Sequence, residues 1–187
     1  HLLGVIAHQI GKNGQAIELI TKALAIRPDY AEAQSNLGLA QQELGRLDEA
    51  ITHYRKAIAI KPDYAEAHYN LGNALKKLGQ LVEATTCYHR AIDIKPDFAE
   101  AHSNLGFAQQ ELGRRDEAID HYHKAIDIKP DYAEAHYNLG NLLTDIDRLD
   151  DAVARYRKAI DINPNFAEAH SNLGAALQEF GRLDEAI

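Results

Sequence analysis

Apolar residues recur along this chain with the spacing of helices rather than of strands. One stripe falls at intervals of four, three and four positions and comprises Ala33, Leu37, Ala40 and Leu44. A second stripe follows at four, three and one, and comprises Ala50, Tyr54, Ala57 and Ile58. Each spacing places its members on one face of a helix. The pattern therefore predicts two amphipathic helices in succession.

Residues between and after the stripes predict where each helix ends. Gly45 separates the two stripes and suits the left-handed residue that closes a helix. Asp48 is placed to cap the second helix, and Pro62 stops it. Asp63 and Glu66 then have the spacing of a capping box for the next helix. The predicted unit is a helix, a tight turn, a second helix and a second turn.

This unit repeats along the whole chain. Pro28 and Pro62 are 34 positions apart, and the remaining prolines follow at the same interval, at Pro96, Pro130 and Pro164. The segments 31–64 and 99–132 differ at only a handful of positions. A fixed period of this length indicates an array of stacked units, each of which covers the apolar stripes of its neighbour. Gly38 and Ala50 are small enough for two helices to approach closely.

The repeated residues resemble the tetratricopeptide repeat (TPR). The residues that carry the resemblance are Leu37, Gly38, Gly45, Ala50, Tyr54, Ala57 and Pro62. The early tryptophan typical of the family is replaced by Gln34, His68, His102, His136 and His170, and Asp147 replaces one turn glycine. Asp tolerates a left-handed conformation, so we expect that turn to survive. The resemblance implies an all-α, right-handed α-solenoid of antiparallel helix pairs, with the first helix of each pair on the concave side.

We predict one array over residues 1–187. It contains a partial repeat at 1–30, complete repeats at 31–64, 65–98, 99–132 and 133–166, and a partial repeat at 167–187. The chain has no initiator Met, and it begins and ends within helical patterns, so we expect a fragment of a longer protein.

Composition excludes several classes of function. The net charge is −8 and no cluster of Lys and Arg stands out, which argues against a nucleic-acid partner. No apolar run approaches the roughly 20 residues that span a bilayer, so we expect no membrane insertion. Cys87 is the single cysteine, which rules out an internal disulfide and fits a reducing compartment such as the cytoplasm.

A row of asparagines recurs on the face of each first helix that lies away from the core stripe. This asparagine row comprises Asn36, Asn70, Asn104, Asn138 and Asn172. Asparagine is a mediocre helix former, but its amide both donates and accepts hydrogen bonds, which suits the backbone of an extended peptide. The row resembles the asparagine ladder of the TPR superhelices attached to O-GlcNAc transferases. The alternative is that asparagine belongs to the repeat consensus and only links to a neighbouring helix.

Two varied rows flank the asparagines. One comprises Ser35, Tyr69, Ser103, Tyr137 and Ser171, and the other comprises Leu39, Asn73, Phe107, Asn141 and Ala175. We predict that Tyr69, Tyr137 and Phe107 anchor a bound peptide, with Asn73 and Asn141 beside them. Simple surface variation is the other interpretation.

Glutamates also recur, at Glu32, Glu66, Glu100, Glu134 and Glu168. A capping role accounts for them, and the alternative is an acidic wall that favours basic peptides.

No catalytic or metal site stands out in the sequence. Histidines at intervals of 34 would lie about 10 Å apart on successive units, too far to share one ion. His121 and His123 point to different sides of a helix, as do Cys87 and His89. Neither a Ser/His/Asp set nor a glycine-rich phosphate loop is present. We therefore expect no enzymatic activity, no cofactor and no metal.

The main functional prediction is a scaffold that holds a protein or peptide in extended conformation. One alternative is the substrate-selecting arm of a larger enzyme such as a glycosyltransferase. Another is a self-assembling array that associates head to tail through exposed apolar residues near its ends. The candidates for that contact are Leu3, Ile6, Leu177 and Ile187.

Overall fold

A computed structural model describes residues 1–179, and within that range the chain forms helices and no strand. The eleven helices of this range are α1 (Leu2–Gln9), α2 (Asn13–Ile26), α3 (Ala31–Glu43), α4 (Leu47–Ile60), α5 (Ala65–Lys77), α6 (Leu81–Ile94), α7 (Ala99–Glu111), α8 (Arg115–Ile128), α9 (Ala133–Asp145), α10 (Leu149–Ile162) and α11 (Ala167–Glu179). Consecutive helices pack in pairs, as in a helical solenoid. The predicted all-α class is confirmed.

The helices form two compact units, His1–Pro96 and Asp97–Ile187. In the first unit, α1 packs on α2, α3 on α4 and α5 on α6, while α2 and α4 also contact the helix that follows them. Ile20 and Leu37 are buried in its core, and Tyr54 and Tyr88 have no exposed surface. The predicted apolar stripes are therefore the surfaces that pack, with one correction: Leu44 was predicted in the first stripe but lies at the C-terminal end of α3 and is 44% exposed.

In the second unit, α7 packs on α8, and α9 and α10 form the next pair, against which α11 also packs. Tyr122, Leu139 and Tyr156 lie in its core. Leu177 joins that core with 1% of its surface exposed, so the expectation that it forms an uncovered apolar end was wrong. It is buried because α11 packs against α9 and α10.

The other residues proposed for head-to-tail association have different outcomes. Leu3 and Ile6 of α1 are exposed at 69% and 52%. Ile187 lies outside the described residues. Head-to-tail association remains a prediction.

Small residues are required where paired helices cross. A Cβ atom on Gly72 would lie 2.6 Å from Cε1 of the buried Tyr88 ring, and Gly38 stands in the same relation to Tyr54. Ala84 and Ala50, in the facing helices, are also fully buried. The predicted close approach of the two helices is confirmed.

The turn inside each pair uses a left-handed residue. Gly45 has a φ of 74°, and Asp147, which replaces the glycine in the fourth complete repeat, has a φ of 61°. Asp147 thus adopts the conformation predicted for it, which short polar side chains tolerate better than other residues with a Cβ atom.

The capping predictions were wrong. Helix α4 follows Arg46 and α5 follows Tyr64, and neither helix has a side-chain hydrogen bond at its cap. Asp48 lies in the first turn of α4, inside the helix. Acidic groups there still interact favourably with the helix dipole without forming a cap.

Three of the recurring glutamates instead pair with lysines at the end of the second helix in the same repeat. The N–O distances are 3.6 Å for Glu32–Lys61, 4.0 Å for Glu66–Lys95 and 3.5 Å for Glu100–Lys129. These pairs are exposed, so each stabilises the fold by about 1 kcal/mol at most.

Candidate peptide-binding surface

The asparagine row lies on the first helices of the pairs, and all five members are half-buried. They are Asn36 on α3, Asn70 on α5, Asn104 on α7, Asn138 on α9 and Asn172 on α11. Half-burial leaves part of each amide accessible while the helix holds its backbone.

In the first unit, α5 and α6 build a small polar arrangement. The Tyr88 hydroxyl donates a hydrogen bond of 2.8 Å to Oδ1 of Asn73. The Tyr69 ring lies against Tyr88, with centroids 6.0 Å apart and planes tilted by 50°. Burial raises the pKa of Tyr88, so its hydroxyl stays protonated and remains a donor. Asn70 lies beside this arrangement, and its amide has no hydrogen-bond partner among the described residues.

The second unit builds the same arrangement from α9 and α10. The Tyr156 hydroxyl donates to Oδ1 of Asn141 over 2.9 Å, and the Tyr137 ring lies 6.0 Å from the Tyr156 ring at a tilt of 48°. The side-chain amide of Asn138, like that of Asn70, has no hydrogen-bond partner within residues 1–179. The two arrangements are two repeats apart in sequence and match in their distances.

Sequence reasoning placed Tyr54 in the core stripe and missed the polar role of its counterparts in later repeats, Tyr88 and Tyr156. Both rings are buried, but their hydroxyls fix the asparagine side chains that we predicted as peptide contacts. The available signal was tyrosine rather than phenylalanine at a core position, because a buried hydroxyl needs a partner.

Other members of the asparagine row are engaged within the fold. Nδ2 of Asn172 donates to Oδ1 of Asn141 over 2.8 Å and to the Tyr137 hydroxyl over 3.2 Å. Nδ2 of Asn36 lies 2.9 Å from Nε2 of His1. These bonds join neighbouring first helices, which is the linking role that we considered as the alternative. At these two positions the structure gives the amide an internal use.

The flanking rows differ between repeats in their burial. Ser35 and Ser103 are buried, with 1% and 2% of their surface exposed, so they present little to a ligand. Leu39 and Phe107 are half-buried, and Phe107 packs against the core of the second unit. The serine positions of the first and third complete repeats are therefore less accessible than the tyrosine positions, whereas Ser171 in α11 is exposed.

A cavity of about 270 Å³ adjoins the polar arrangement of the second unit. Its lining residues come from α9, α10 and α11 and are Asn141, Thr144, Asp145, Tyr156, Asn172, Ala175 and Ala176. The Tyr156 hydroxyl also lies 3.1 Å from Oγ1 of Thr144. The cavity wall thus combines amide, hydroxyl and carboxylate groups, which suit a polar ligand.

The histidines that replace the family tryptophan bond to backbone carbonyl oxygens or, in one repeat, to a histidine of the second helix. Nε2 of His68, His136 and His170 lies 3.0, 3.1 and 2.9 Å from the carbonyl oxygens of Pro62, Pro130 and Pro164. Nδ1 of His102 lies 3.0 Å from Nδ1 of His121, a pairing within one repeat that sequence reasoning missed. Among the described residues no three His, Cys, Asp or Glu side chains are grouped to hold a metal ion.

The helices of the described range are all too short or too polar to cross a membrane.

Comparison with solved structures places this architecture among known helical-repeat proteins. MamA is 28% identical, with a TM-score of 0.78 over 88% of this chain and 96% of MamA. PilF of Pseudomonas aeruginosa is 22% identical, with a TM-score of 0.89 over 99% of this chain and 84% of PilF. YrrB, described as a TPR protein with an unusual peptide-binding site, is 22% identical, with a TM-score of 0.74 over 91% and 88%. None of the curated proteins matches.

The family model described as the TPR repeat matches five overlapping segments of the chain. They are residues 4–45, 43–79, 72–113, 111–147 and 140–181. Together with the helix pairs and their left-handed turns, this match establishes that the chain belongs to the TPR-repeat family.

Proposed function

We propose that this TPR scaffold binds extended polypeptides through the first-helix face, with the amides of Asn70 and Asn138 as principal contacts. The observation that carries the proposal is the repeated arrangement of Tyr69 and Asn73 around Asn70, and of Tyr137 and Asn141 around Asn138. In each, the asparagine side chain is half-buried and has no hydrogen-bond partner within residues 1–179.

The physical basis is the match between an amide side chain and a peptide backbone. Each backbone unit of an extended peptide offers one donor and one acceptor, and an asparagine amide pairs with both. Asn70 and Asn138 sit on helices whose positions are fixed by packing on α6 and α10. Little further ordering is needed when a ligand binds, so the loss of conformational entropy is small.

Selectivity would come from the neighbours of the asparagines. Tyr69 and Tyr137 offer rings and hydroxyls, and Phe107 adds apolar surface. Asn36, Asn104 and Asn172 remain predicted peptide contacts. Because Glu32, Glu66 and Glu100 are partnered by lysines, we expect only a weak preference for basic peptides.

Similarity to known proteins supports the general role and leaves the ligand to experiment. The helix-pair architecture is that of a protein-interaction scaffold. YrrB shows that this fold is compatible with a peptide-binding site, although an identity of 22% relates the two proteins by fold alone.

The test begins with an array of unstructured 12-residue peptides, from which binders are measured by fluorescence anisotropy. An Asn70→Ala, Asn138→Ala double variant is then compared with Asn165→Ala, whose exposed side chain lies in the turn before α11. A net hydrogen bond is worth about 0.5–1.5 kcal/mol, so losing one net bond at each of the two asparagines weakens binding about 5- to 160-fold.

Asn165→Ala should bind as the parent does. Alanine favours the helix, so the double variant should melt at or above the parent temperature. A double variant that is folded and binds its peptides unchanged would refute the role of these two amides. A parent protein that binds no peptide on the array would refute the proposed function itself.

A further inference from the structure

A second cavity lies in the first unit, between α4, α5 and α6. No member of the asparagine row or of its two flanking rows lines this cavity. Its volume is about 550 Å³, within the range of about 300–1,000 Å³ that is typical of small-ligand sites. The lining residues are Arg55, Ile58, His68, Leu71, Thr86, Cys87, His89, Arg90 and Asp93.

The cavity coincides with a change of residue size at one repeat position. Cys87 occupies the place that His53, His121 and Arg155 hold in the other complete repeats. Nδ1 of His53 lies 2.8 Å from Oε1 of Gln34, so in that repeat a large side chain bridges to the first helix. Cys87 is too short to make such a bridge to α5. The space between the helices is therefore a property of this repeat's own sequence.

The floor of the cavity is apolar. Ile58 and Leu71 contribute aliphatic carbon, and burial raises the pKa of the Cys87 thiol to about 11. The thiol is therefore protonated near neutral pH and behaves as a small apolar group. An apolar chain or ring placed on this floor would be removed from water, which favours binding.

Basic groups line the cavity alongside this floor. Arg55, Arg90 and two histidines are among the lining residues, whereas Asp93 is the single acidic one. Arg55 lies 3.7 Å from Glu83, and Arg90 lies 3.9 Å from Asp93. All four of these charged side chains are more than half exposed, so each pair contributes about 1 kcal/mol at most and exchanges readily for another anion. Guanidinium groups match the two oxygens of a carboxylate particularly well.

We infer that this cavity binds a small amphipathic carboxylate. Its aliphatic or aromatic body lies on the floor formed by Ile58, Leu71 and Cys87. Its carboxylate pairs with Arg55 and Arg90 at the opening. The site is separate from the peptide-binding surface, so either can be present without the other.

Cys87 provides a direct readout, because it is the only cysteine in the chain. The experiment measures the rate at which its thiol reacts with a disulfide reagent at constant pH, with decanoate added below its micelle concentration. We expect decanoate to slow the reaction in a saturable manner. Decanol and decylamine have the same tail and should need about fivefold higher concentrations, since an ion pair contributes about 1 kcal/mol.

Variants separate the two parts of the site. Cys87→His introduces the residue that two other repeats carry at this position, and it should abolish decanoate binding measured by calorimetry. If that variant does not fold, alkylation of Cys87 in the folded parent with N-ethylmaleimide provides the same block. Arg55→Gln combined with Arg90→Gln should weaken binding by about fivefold or more. Arg157→Gln changes the position in α10 equivalent to Arg55 and should leave binding unchanged.

Three results would overturn the inference. The first is that decanoate neither slows the reaction of Cys87 nor gives a binding signal. The second is that decanoate binds the Cys87-blocked protein as it binds the parent. The third is that decanol and decanoate bind equally well, which would remove the carboxylate from the description of the ligand.

Discussion

The close crossing of α5 and α6 makes Gly72→Ala a demanding test of the packing. A Cβ atom at this position would lie 2.6 Å from Cε1, 2.9 Å from Cδ1 and 3.1 Å from Cζ of Tyr88. Ordinary contacts of this kind begin at 3.4 Å, so the ring or the helix would have to move by nearly 1 Å. Tyr88 is fully buried and its hydroxyl is bonded to Asn73, so the ring has little freedom to do so.

The expected magnitude follows from two opposing effects. Overpacking a well-filled core costs about 1–3 kcal/mol. Replacing glycine by alanine inside a helix contributes up to about 1 kcal/mol in the other direction. Gly14→Ala in α2 is the matched control, because a Cβ atom there has no neighbour within 4 Å. We expect Gly14→Ala to be neutral or stabilising, and Gly72→Ala to be less stable than that control by about 1–3 kcal/mol.

The assay is urea unfolding followed by circular dichroism and tyrosine fluorescence in parallel. Agreement of the two signals checks that unfolding is a single transition, which repeat arrays do not always show. If Gly72→Ala gains as much stability as Gly14→Ala, the buried ring of Tyr88 does not occupy the position on which this reasoning depends.

Three further predictions concern polar groups. Asn141→Ala removes the acceptor for both Tyr156 and Asn172, so unfolding free energy should fall by about 1–3 kcal/mol in urea titrations; an unchanged value would contradict these bonds. Glu66→Gln should change stability by less than about 1 kcal/mol, with the difference vanishing in high salt, because its pair with Lys95 is exposed. Burial raises the pKa of Cys87 from 9.0 to about 11, so its alkylation rate should keep rising through pH 9 and pH 10 without levelling. The folded state holds the Cys87 proton more tightly than the unfolded state, so the stability linked to this protonated thiol is present below pH 9 and falls as pH rises towards 11. An alkylation rate that levels near pH 9 would contradict the burial of Cys87.

Helix positions were predictable because the determinants are local and recur. The apolar spacing, Gly45 and Pro62 each act within a few residues. One such pattern would be weak evidence for a helix pair, but its recurrence every 34 residues makes the prediction strong. The left-handed Asp147 was predictable for the same reason, since its neighbours identified the turn. The capping predictions failed although they too were local, because α4 begins after Arg46 and α5 after Tyr64, so neither Asp48 nor Asp63 stands at an N-cap position.

The candidate site was only partly predictable from sequence. The asparagine row and its flanking tyrosines can be identified from the repeat period, but the period gives no basis for distinguishing one of the five asparagines from another. The structure distinguishes them, because the side-chain amide of Asn172 donates to Asn141 and Tyr137 whereas that of Asn138 has no hydrogen-bond partner within residues 1–179. The difference depends on which side chain the neighbouring repeat presents, and that is a property of packing between repeats.

The helical-repeat architecture, the order of its helices and the faces that they bury can be derived from the sequence, because the apolar spacing and the turn residues act between positions close along the chain. Which polar groups already have partners, and where space remains between helices, depends on how the folded helices pack. The hydroxyl of Tyr88 supports Asn73, and the small side chain of Cys87 leaves room for a cavity, because side chains from separate helices meet at distances that no local pattern encodes.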